Sequence, residues 1–513
     1  TNGLPRGEKP APYYWFIIAS SHFSGGVNET SSRMPSAIFA VMLVLLTFVF
    51  ARQVMSPASS FVSALVLATS CRFAWQARWA EPDVVLSFFV TLAMYLFYRA
   101  LRVEAHRRFA CIAGYTAAVA ASLIKGPVGL AVPAVSLFAY IATGGREWRG
   151  AVKRLMPGWG ILITLAILLP FYWAVGAAAG SGYLRDLIIH QNFTRFVRAF
   201  DHRQPIYYYF YIFTVDFMPF SMFAFAGVVY SLKESYSERR GDIRFFLCWF
   251  LAGMVFFSLS GSKREVYLLP LYPAAAILAG VLLERWRTGA KLSWWYCEFP
   301  AWFTCAILAA AAVVSLRLVI DPSGVARKSY DAITATGFRP AEIANLASPL
   351  IALAAVVVGA AIWLLARQRR LAFQLCLAAF SASVMLYVQT AILPAVNPYK
   401  SARTIGARLA ELLPEHSRFG GYSPEATAPW VDRIFLWDGY LFYSQRLMVP
   451  IDNRHDLAKH LDANDAIVVL MKRDDYEKLP QSIKANIRGT EGFRVGHKEM
   501  LLISNKSLDR ATK

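Results

Sequence analysis

The chain alternates between long apolar runs and short polar segments. A helix that spans a membrane needs about 20 largely apolar residues, and runs near that length recur from residue 34 to residue 393. We interpret them as membrane-spanning helices, twelve in number, although the two runs beside Lys125 and Gly126 are short enough to be merged. The runs are 34–50, 57–72, 84–101, 109–123, 126–143, 157–176, 207–231, 244–260, 266–283, 299–317, 348–366 and 371–393.

Basic residues in the short loops support this interpretation. They concentrate in every second loop, as a chain that crosses a membrane twelve times requires. The positive-inside rule places such loops in the cytoplasm, so the N-terminal segment, the intervening loops and residues 394–513 are predicted to be extracytoplasmic. The basic residues are Arg52, Arg99, Arg102, Arg107, Arg108, Arg146, Arg149, Lys153, Arg154, Lys233, Arg239, Arg240, Arg244, Arg285, Arg287, Lys291, Arg367, Arg369 and Arg370.

The pattern changes after residue 393, where charges become frequent and apolar runs become short. The stretches RFGGYS, RIFLWD, LMVPI, AIVVLM and MLLISN are typical of strands. Residues 402–413, 454–462 and 473–487 are typical of helices. This alternation favours a small α/β domain. We therefore predict a mainly α, polytopic membrane domain at residues 1–393 and an extracytoplasmic α/β domain at 394–513.

Composition agrees with a membrane protein. Of 513 residues, 57% are hydrophobic and 17% are charged, whereas soluble proteins carry about 25% charged residues. The net charge of +20 follows the alternate loops, so we predict the lipid bilayer as a partner and no nucleic acid. The six cysteines show no CxxC and no Cys/His metal spacing, which is typical of small buried apolar residues.

Five polar clusters share the predicted extracytoplasmic face. Individually they have ordinary explanations, because a lysine at a helix end often extends to lipid head groups and Tyr or Trp often anchors a helix at the interface. Together they combine cations, carboxylates and aromatic rings on one face. The clusters contain Glu8 and Lys9 (GEKPAPYYWF), Arg78, Glu81 and Asp83 (ARWAEPD), Lys125 (SLIKGPVGL), His190, Arg195 and Arg198 (HQNFTRFVRAFDHRQP), and Lys263, Arg264, Glu265 and Tyr267 (SGSKREVYLLPLYP).

This combination predicts a cavity for an anionic ligand that is partly lipid. Lysine and arginine suit phosphate, and carboxylates suit a metal, a sugar hydroxyl or general-base chemistry. A polyprenyl-phosphate sugar has an apolar chain, a phosphate and a hydroxyl-rich head group. A transporter can carry the same residues. No cofactor is certain from the sequence, and a divalent metal stays open.

Five motifs, in order over residues 8–280, carry a family resemblance: EKPAPYYW with NETSSRMPSA; ARWAEPDVVLSFF; LIKGPVGLAVP; HQNFTRF with HRQPIYYYF and DFMPFS; and SGSKREVYLLPLYPAAAIL. Each is weak alone, but their order and spacing are specific. The chain resembles the GT-C membrane glycosyltransferases that use polyprenyl-phosphate sugars. The likeness is to the bacterial branch of the protein O-mannosyltransferase and aminoarabinose-lipid A transferase superfamily.

The resemblance implies roles for individual residues. Lys9 would contact the lipid phosphate, and Lys125 would be structural or bind a head group. The candidate catalytic carboxylates are Asp83 and Glu8. The candidate substrate-binding residues are Lys9, Glu81, Lys125, His190, Arg195, Lys263, Arg264 and Tyr267.

One departure concerns the start of the chain at Thr1. The family carries a first membrane helix and an acidic residue, taken as the catalytic base, upstream of Glu-Lys-Pro. Residues 1–7 contain no Asp or Glu, so the expected catalytic acidic residue would lie upstream of Thr1 and is absent from this sequence. We therefore expect the chain to be truncated at its N-terminus, with Glu8, Glu81 or Asp83 as the carboxylates that remain.

The implied reaction is a single displacement at the anomeric carbon, which inverts it. A carboxylate removes the proton of the acceptor hydroxyl, while Lys and Arg stabilise the departing polyprenyl phosphate. We predict transfer of a mannose- or aminoarabinose-like sugar to a lipid, glycan or protein acceptor, outside a bacterial inner membrane. The alternatives are a flippase or transporter for lipid-linked sugars, for which the expected inverted repeats are not seen, and a non-catalytic glycolipid-binding relative.

Overall fold

The structure of the chain is a computed structural model that describes residues 11–145, 148–180, 182, 203–234, 240–320, 340–424, 438–463, 465–496 and 498–508. These residues form two compact units. The first unit contains the described residues up to Ala312 and again Ala352–Leu386. The second contains those of Val313–Ile351 and those from Tyr387 onward.

The first unit is built from helices. In chain order they are α1 (Pro12–Ser21), α2 (Glu29–Ala51), α3 (Pro57–Thr69), α4 (Cys71–Gln76), α5 (Asp83–Arg102), α6 (Arg107–Lys125), α7 (Val128–Ala142), α8 (Trp148–Leu155), α9 (Pro157–Ala179), α10 (Tyr208–Asp216), α11 (Ser221–Glu234), α12 (Arg240–Leu259), a 3₁₀ segment (Glu265–Leu271), α13 (Tyr272–Arg287) and α16 (Arg370–Tyr387). Two further helices, α14 (Trp294–Ile320) and α15 (Pro340–Ala366), each contain a point of division between the units, and the last residue of α16, Tyr387, belongs to the second unit.

The predicted multi-pass membrane fold is confirmed. Each predicted apolar run lies largely on helix. Within the described residues, eight helical segments are long and apolar enough to cross a membrane, or nine if α10 and α11 form one bent span. Two shorter apolar helices, α3 and α7, do not reach that length. The number of twelve crossings therefore stays a prediction.

Helix ends differ from the sequence prediction where a capping residue decides them. α2 begins at Glu29, five residues before the predicted run at residue 34, because Asn28 and Ser31 form a capping box. The predicted loop 318–347 is shorter on both sides, since α14 continues to Ile320 and α15 begins at Pro340.

Helix α13 lies in the centre of the first unit. Its residues from Tyr272 to Ala279 are buried on all sides. Five of them are alanine or proline (Pro273, Ala274, Ala275, Ala276 and Ala279), and small side chains let neighbouring helices approach closely in a membrane. Larger rings fill the space further along the bundle, where Phe50 contacts Tyr95, Tyr98 and Phe246.

The second unit contains a five-stranded sheet in the order β2-β1-β3-β5-β4. β2, β1 and β3 are parallel, and β5 pairs antiparallel with both β3 and β4. This confirms the α/β prediction, whereas a domain boundary at residue 394 stays a prediction. The strands are β1 (Arg418–Tyr422), β2 (Leu447–Ile451), β3 (Val468–Lys472), β4 (Gly489–Val495) and β5 (Lys498–Ser504). The helices are α17 (Leu393–Lys400), α18 (Arg403–Leu412), α19 (Asp438–Ser444), α20 (Arg454–Leu461), α21 (Arg473–Glu477) and α22 (Gln481–Lys484), with a short π segment (Val388–Ile392) before α17.

Four of the five predicted strand sequences are strands, and most of RIFLWD lies outside the described residues. The prediction missed β4 at the sheet edge. Its burial alternates along the strand, and its sequence GTEGFRV contains no continuous apolar run. The helix predicted at 473–487 is two short helices, because Leu479 and Pro480 separate them.

Candidate functional site

The centre of the candidate site is an ion pair between Asp83 and Lys125. Asp83 is the first residue of α5, where the helix dipole favours a carboxylate, and Lys125 is the last residue of α6, where it favours a cation. Gly126 ends α6 with a φ of 84°, a conformation that glycine adopts readily. Because α5 and α6 are antiparallel neighbours, the start of one meets the end of the other.

Burial makes this ion pair important to the fold. Only 3% of the Asp83 side chain and 16% of the Lys125 side chain are exposed. A buried charge is costly unless it has a partner. The Lys125 ammonium also lies 5.0 Å from the centre of the Tyr267 ring, in the 3₁₀ segment before α13. This is within the range of a cation–π contact.

A second ion pair, between Arg264 and Glu81, is more open. The Arg264 Nη2 lies 3.8 Å from the Glu81 Oε1, with 34% and 26% of the two side chains exposed. The Gln76 Nε2 donates to the other carboxylate oxygen of Glu81 at 2.5 Å. The Ser36 hydroxyl donates to the Glu81 carbonyl oxygen at 3.0 Å. An open ion pair of this kind is weak, so either partner can turn to a ligand at low cost.

Lys263 has a different environment from its neighbour Arg264. Its ammonium donates to the carbonyl oxygens of Ser260, at 2.5 Å, and Gln204, at 3.1 Å. Only 6% of the residue is exposed, and burial lowers the pKa of its ammonium. These contacts hold the loop before the 3₁₀ segment against the chain at Gln204. A substrate-binding role for Lys263 stays a prediction.

The structure thus brings together Glu81, Asp83, Lys125, Arg264 and Tyr267, as the sequence predicted for one face. Among the residues that the structure describes, no group of three or more His, Cys, Asp or Glu side chains could hold a metal ion. The divalent metal stays a hypothesis.

The predicted residues at the start of the chain and in the large loop lie outside the described residues. They are Glu8, Lys9, His190 and Arg195, so their roles stay predictions. Thr1 lies outside the described residues as well. The expectation of a catalytic acidic residue upstream of Thr1 is therefore not tested by the structure, and it also stays a prediction.

Sequence reasoning missed one member of the surroundings, Gln76, and assigned no role to Arg78, which lies in one of the predicted polar clusters. Gln76 is buried and holds Glu81, but a neutral amide gives no charge signal in a sequence. Arg78, in the ARWAEPD motif, has a buried Nη1 with no hydrogen-bond partner among the described residues. Burial and the nearby positive charge of Arg33 lower the Arg78 pKa. A guanidinium in that environment favours an anion.

The arrangement can bind an anion and handle a proton. Asp83 is the first residue of α5, and Tyr267 lies in the first turn of the 3₁₀ segment that leads into α13. Helix N-termini stabilise negative charge. Two cations, Lys125 and Arg264, stand beside two carboxylates. A phosphate that approaches Arg264 would displace the partly exposed Glu81, which could then accept a proton, whereas the buried Asp83 stays paired with Lys125.

Comparison with known proteins finds relatives of this chain among membrane glycosyltransferases. Residues 8–173 match the family model described as dolichyl-phosphate-mannose-protein mannosyltransferase. An undecaprenyl phosphate-alpha-4-amino-4-deoxy-L-arabinose arabinosyl transferase of Pseudomonas aeruginosa (strain LESB58) is 30% identical over 302 residues, 57% of this chain and 52% of that protein. An uncharacterized protein of Aquifex aeolicus is 30% identical over 292 residues, 55% of this chain and 54% of that protein. The chain therefore spans about half the length of the curated relatives that it matches.

Solved structures give the fold. The crystal structure of ArnT from Cupriavidus metallidurans bound to undecaprenyl phosphate has a TM-score of 0.76 at 18% identity and covers 98% of this chain and 89% of that one. The apo structure has a TM-score of 0.75 at 18% identity and covers 100% of this chain and 90% of that one. The chain therefore has an ArnT-like GT-C fold. The matching family model and the arabinosyl transferase relatives confirm the predicted resemblance to the aminoarabinose transferase superfamily.

Proposed function

We propose that this chain is a membrane glycosyltransferase that moves a sugar from a polyprenyl-phosphate donor to an acceptor hydroxyl. The observation that carries the proposal is the cluster of Glu81, Asp83, Lys125, Arg264 and Tyr267 at one end of the helix bundle. The ArnT-like fold supports it, as do the matching family model and the relatives named for undecaprenyl-phosphate chemistry.

The proposed reaction needs an anion site and a proton acceptor. The donor phosphate would contact Arg264 and Lys125, which stabilise the negative charge that grows on it as the bond between phosphate oxygen and anomeric carbon breaks. The acceptor oxygen attacks the same carbon from the opposite side, so one displacement inverts it. Its proton passes to a carboxylate.

The described carboxylates differ in access to the acceptor. Asp83 is nearly closed to solvent and held by Lys125, so we propose that it positions Lys125 for the phosphate. Glu81 is one-quarter exposed and can reach a hydroxyl. The proton acceptor is then Glu81 or the predicted Glu8. In this scheme Asp83 acts by positioning Lys125 and does not itself accept the proton, so its predicted catalytic role is indirect.

The proposal places the protein in a bacterial inner membrane, with the site and the C-terminal α/β domain outside the cytoplasm. Basic loops at the other ends of the helices support this orientation. The sugar would be mannose- or aminoarabinose-like, and the acceptor a lipid, a glycan or a protein.

Sugar transfer in reconstituted vesicles tests the function. The full chain is reconstituted with a polyprenyl-phosphate donor that carries a radiolabelled sugar and with a lipid, glycan or protein acceptor. It should form a labelled glycoside of the acceptor and release one polyprenyl phosphate for each sugar transferred. The Arg264→Gln variant should lose most of this transfer, whereas Arg108→Gln, an exposed arginine at the opposite helix ends, should keep it. Movement of intact labelled donor across the bilayer would identify a flippase instead. Donor binding without turnover would identify a non-catalytic relative.

A further inference from the structure

A polar cavity lies at the far ends of α2 and α13, opposite the candidate site. It has a volume of about 750 Å³ and is lined by residues that include Arg52, Ser56, Tyr230, Asp242, Glu284 and Arg285. Arg52 follows the last residue of α2, and Glu284 and Arg285 lie in the last turn of α13. The candidate site, by contrast, lies at the N-terminal ends of these helices.

Helix length separates the two places. α2 has 23 residues and α5 has 20, and at about 1.5 Å per residue each is roughly 30 Å long. On α5 the first residue, Asp83, belongs to the candidate site, while Tyr98 donates to Asp242 of the cavity at 2.7 Å. The cavity is therefore separate from the candidate site, and the proposed sugar transfer gives it no role.

The carboxylates of the cavity already have partners. Asp242 accepts from the Tyr98 hydroxyl and from the Arg102 Nε at 2.8 Å. Glu284 accepts from the backbone N–H of Ser56 at 3.0 Å. Both groups are held in place, so they stabilise the walls of the cavity.

The two arginines of the cavity are available. Arg52 donates through Nη1 to the carbonyl oxygen of Met55 at 3.2 Å, which leaves most of its guanidinium unused. Within the described chain, neither Arg52 nor Arg285 forms an ion pair with a carboxylate, and both are exposed. Two guanidinium groups at one cavity suit a phosphate, which they can contact through pairs of hydrogen bonds.

Apolar side chains beside the cavity indicate where the rest of the ligand would lie. Leu45 and Val49 on α2 are 59% and 42% exposed, and Val229 and Leu232 on α11 are 49% and 44% exposed. Of the residues that line the cavity, Arg52 lies one turn beyond Val49 and two turns beyond Leu45, and Tyr230 lies within a turn of Val229 and Leu232. A polar cavity between apolar outer faces matches a phospholipid, whose phosphate is polar and whose acyl chains are apolar.

We infer that this cavity binds the head group of an anionic phospholipid, with its phosphate between Arg52 and Arg285 and its acyl chains along α2 and α11. The volume falls in the range of about 300–1,000 Å³ that is usual for ligand sites. Basic pockets between membrane helices on the cytoplasmic side are known lipid head-group sites. The inference does not depend on the proposed sugar transfer, because the two sites share no residue.

Native mass spectrometry of the full chain in detergent tests the inference. Wild-type protein is titrated with phosphatidylglycerol, and with phosphatidylcholine as the zwitterionic control. We expect one phosphatidylglycerol to bind in preference to phosphatidylcholine. The Arg52→Gln/Arg285→Gln variant should bind it at least about tenfold more weakly, because two charge-assisted contacts are lost. The matched control Arg108→Gln/Arg369→Gln removes two exposed arginines outside the cavity and should bind like the wild type.

Three results would overturn the inference. An equal loss of phosphatidylglycerol affinity in both double variants would mean that basic loops attract the lipid in general. Equal binding of both lipids by the wild type would mean no anion site. Binding of soluble glycerol phosphate as tightly as phosphatidylglycerol would identify a free phosphate site. The Arg52→Lys/Arg285→Lys variant controls for misfolding of the glutamine variant. It keeps both charges but loses the paired hydrogen bonds, so we expect it to bind phosphatidylglycerol with intermediate affinity.

Discussion

At the scale of single residues, the site depends on contacts between positions far apart in the sequence. Asp83 pairs with Lys125, Glu81 with Arg264, and Ser36 with the backbone at Glu81. The sequence predicted most of these residues as members of one face, because charges are rare in an apolar chain. It could not predict which charges pair, since pairing depends on how helix ends meet. It also gave no sign that Lys263 bonds to carbonyl groups while its neighbour Arg264 faces an acid.

The buried pair yields a stability prediction. Asp83→Asn leaves the Lys125 charge buried without a carboxylate, and breaking a buried pair costs about 3–5 kcal/mol. We expect a clear fall in the melting temperature, followed by tryptophan fluorescence in detergent, and a loss of sugar transfer. The double variant Asp83→Asn/Lys125→Met removes both charges and should recover much of the stability but none of the transfer.

A matched control for this prediction is Arg154→Gln. Arg154 pairs with Glu104 at 3.0 Å, with 39% and 69% of the two side chains exposed. An exposed pair contributes about 0–1 kcal/mol, so its melting temperature should stay near that of the wild type. The prediction is wrong if the double variant melts no higher than Asp83→Asn alone.

The partly exposed ion pair between Arg264 and Glu81 yields a prediction about donor binding instead of stability. Arg264→Gln removes a partly exposed ion pair, so the melting temperature should change little. If Arg264 contacts the donor phosphate, the KM for the polyprenyl-phosphate sugar should rise about tenfold, since a charge-assisted hydrogen bond contributes about 1.5–3 kcal/mol. Initial rates at varied donor concentration measure this. Arg264→Lys keeps the charge, so its KM should lie between the KM values of the wild type and of Arg264→Gln. An unchanged KM in Arg264→Gln would contradict the phosphate role.

At the scale of secondary-structure elements, apolar runs predict helices well, but local chemistry sets their ends. Asn28 starts α2 earlier than hydropathy suggests, and Gly126 ends α6 at the residue that enters the site. The edge strand β4 has alternating burial and was missed. Helices in a membrane need long apolar stretches, whereas an edge strand with one exposed face needs an apolar residue only at every second position. The membrane unit was therefore easier to predict than the sheet.

The junction of α6 and α7 gives a test at this scale. A Cβ added at Gly129 would lie 2.2 Å from the backbone N of Ser122 and 2.3 Å from the carbonyl C of Ala121. Backbone atoms cannot move aside as a side chain can, so Gly129→Ala should push α7 away from the end of α6 and displace Lys125. We expect a loss of about 1–3 kcal/mol of stability together with reduced transfer, measured by thermal unfolding and by the labelled-sugar assay.

Gly150→Ala, in helix α8, is the matched control. A Cβ there meets nothing within 4 Å, and alanine is the better helix former by about 1 kcal/mol. This variant should be as stable as the wild type or slightly more stable. If both alanine variants behave alike, close packing at Gly129 is not what positions Lys125.

At the scale of the whole molecule, the described helices join two polar regions through an apolar middle. α2 and α5 carry the candidate site at one end and the phospholipid cavity at the other. Their length of roughly 30 Å equals the hydrocarbon thickness of a typical bilayer. The sequence predicted this division because basic loops alternate. It could not predict a cavity at the basic ends, since that cavity requires α2, α12 and α13 to meet.

Orientation in the membrane follows from the same division and can be measured directly. Arg99, Arg102, Arg107 and Arg108 surround the loop between α5 and α6, and such clusters are retained in the cytoplasm. Alkaline phosphatase, which is active only outside the cytoplasm, should therefore be inactive when fused in this loop and active when fused after residue 513. A fluorescent protein that folds only in the cytoplasm should give the reverse result at both positions. Active phosphatase in the α5–α6 loop would place the basic ends outside, and the candidate site would then face the cytoplasm, where the proposed transfer does not occur.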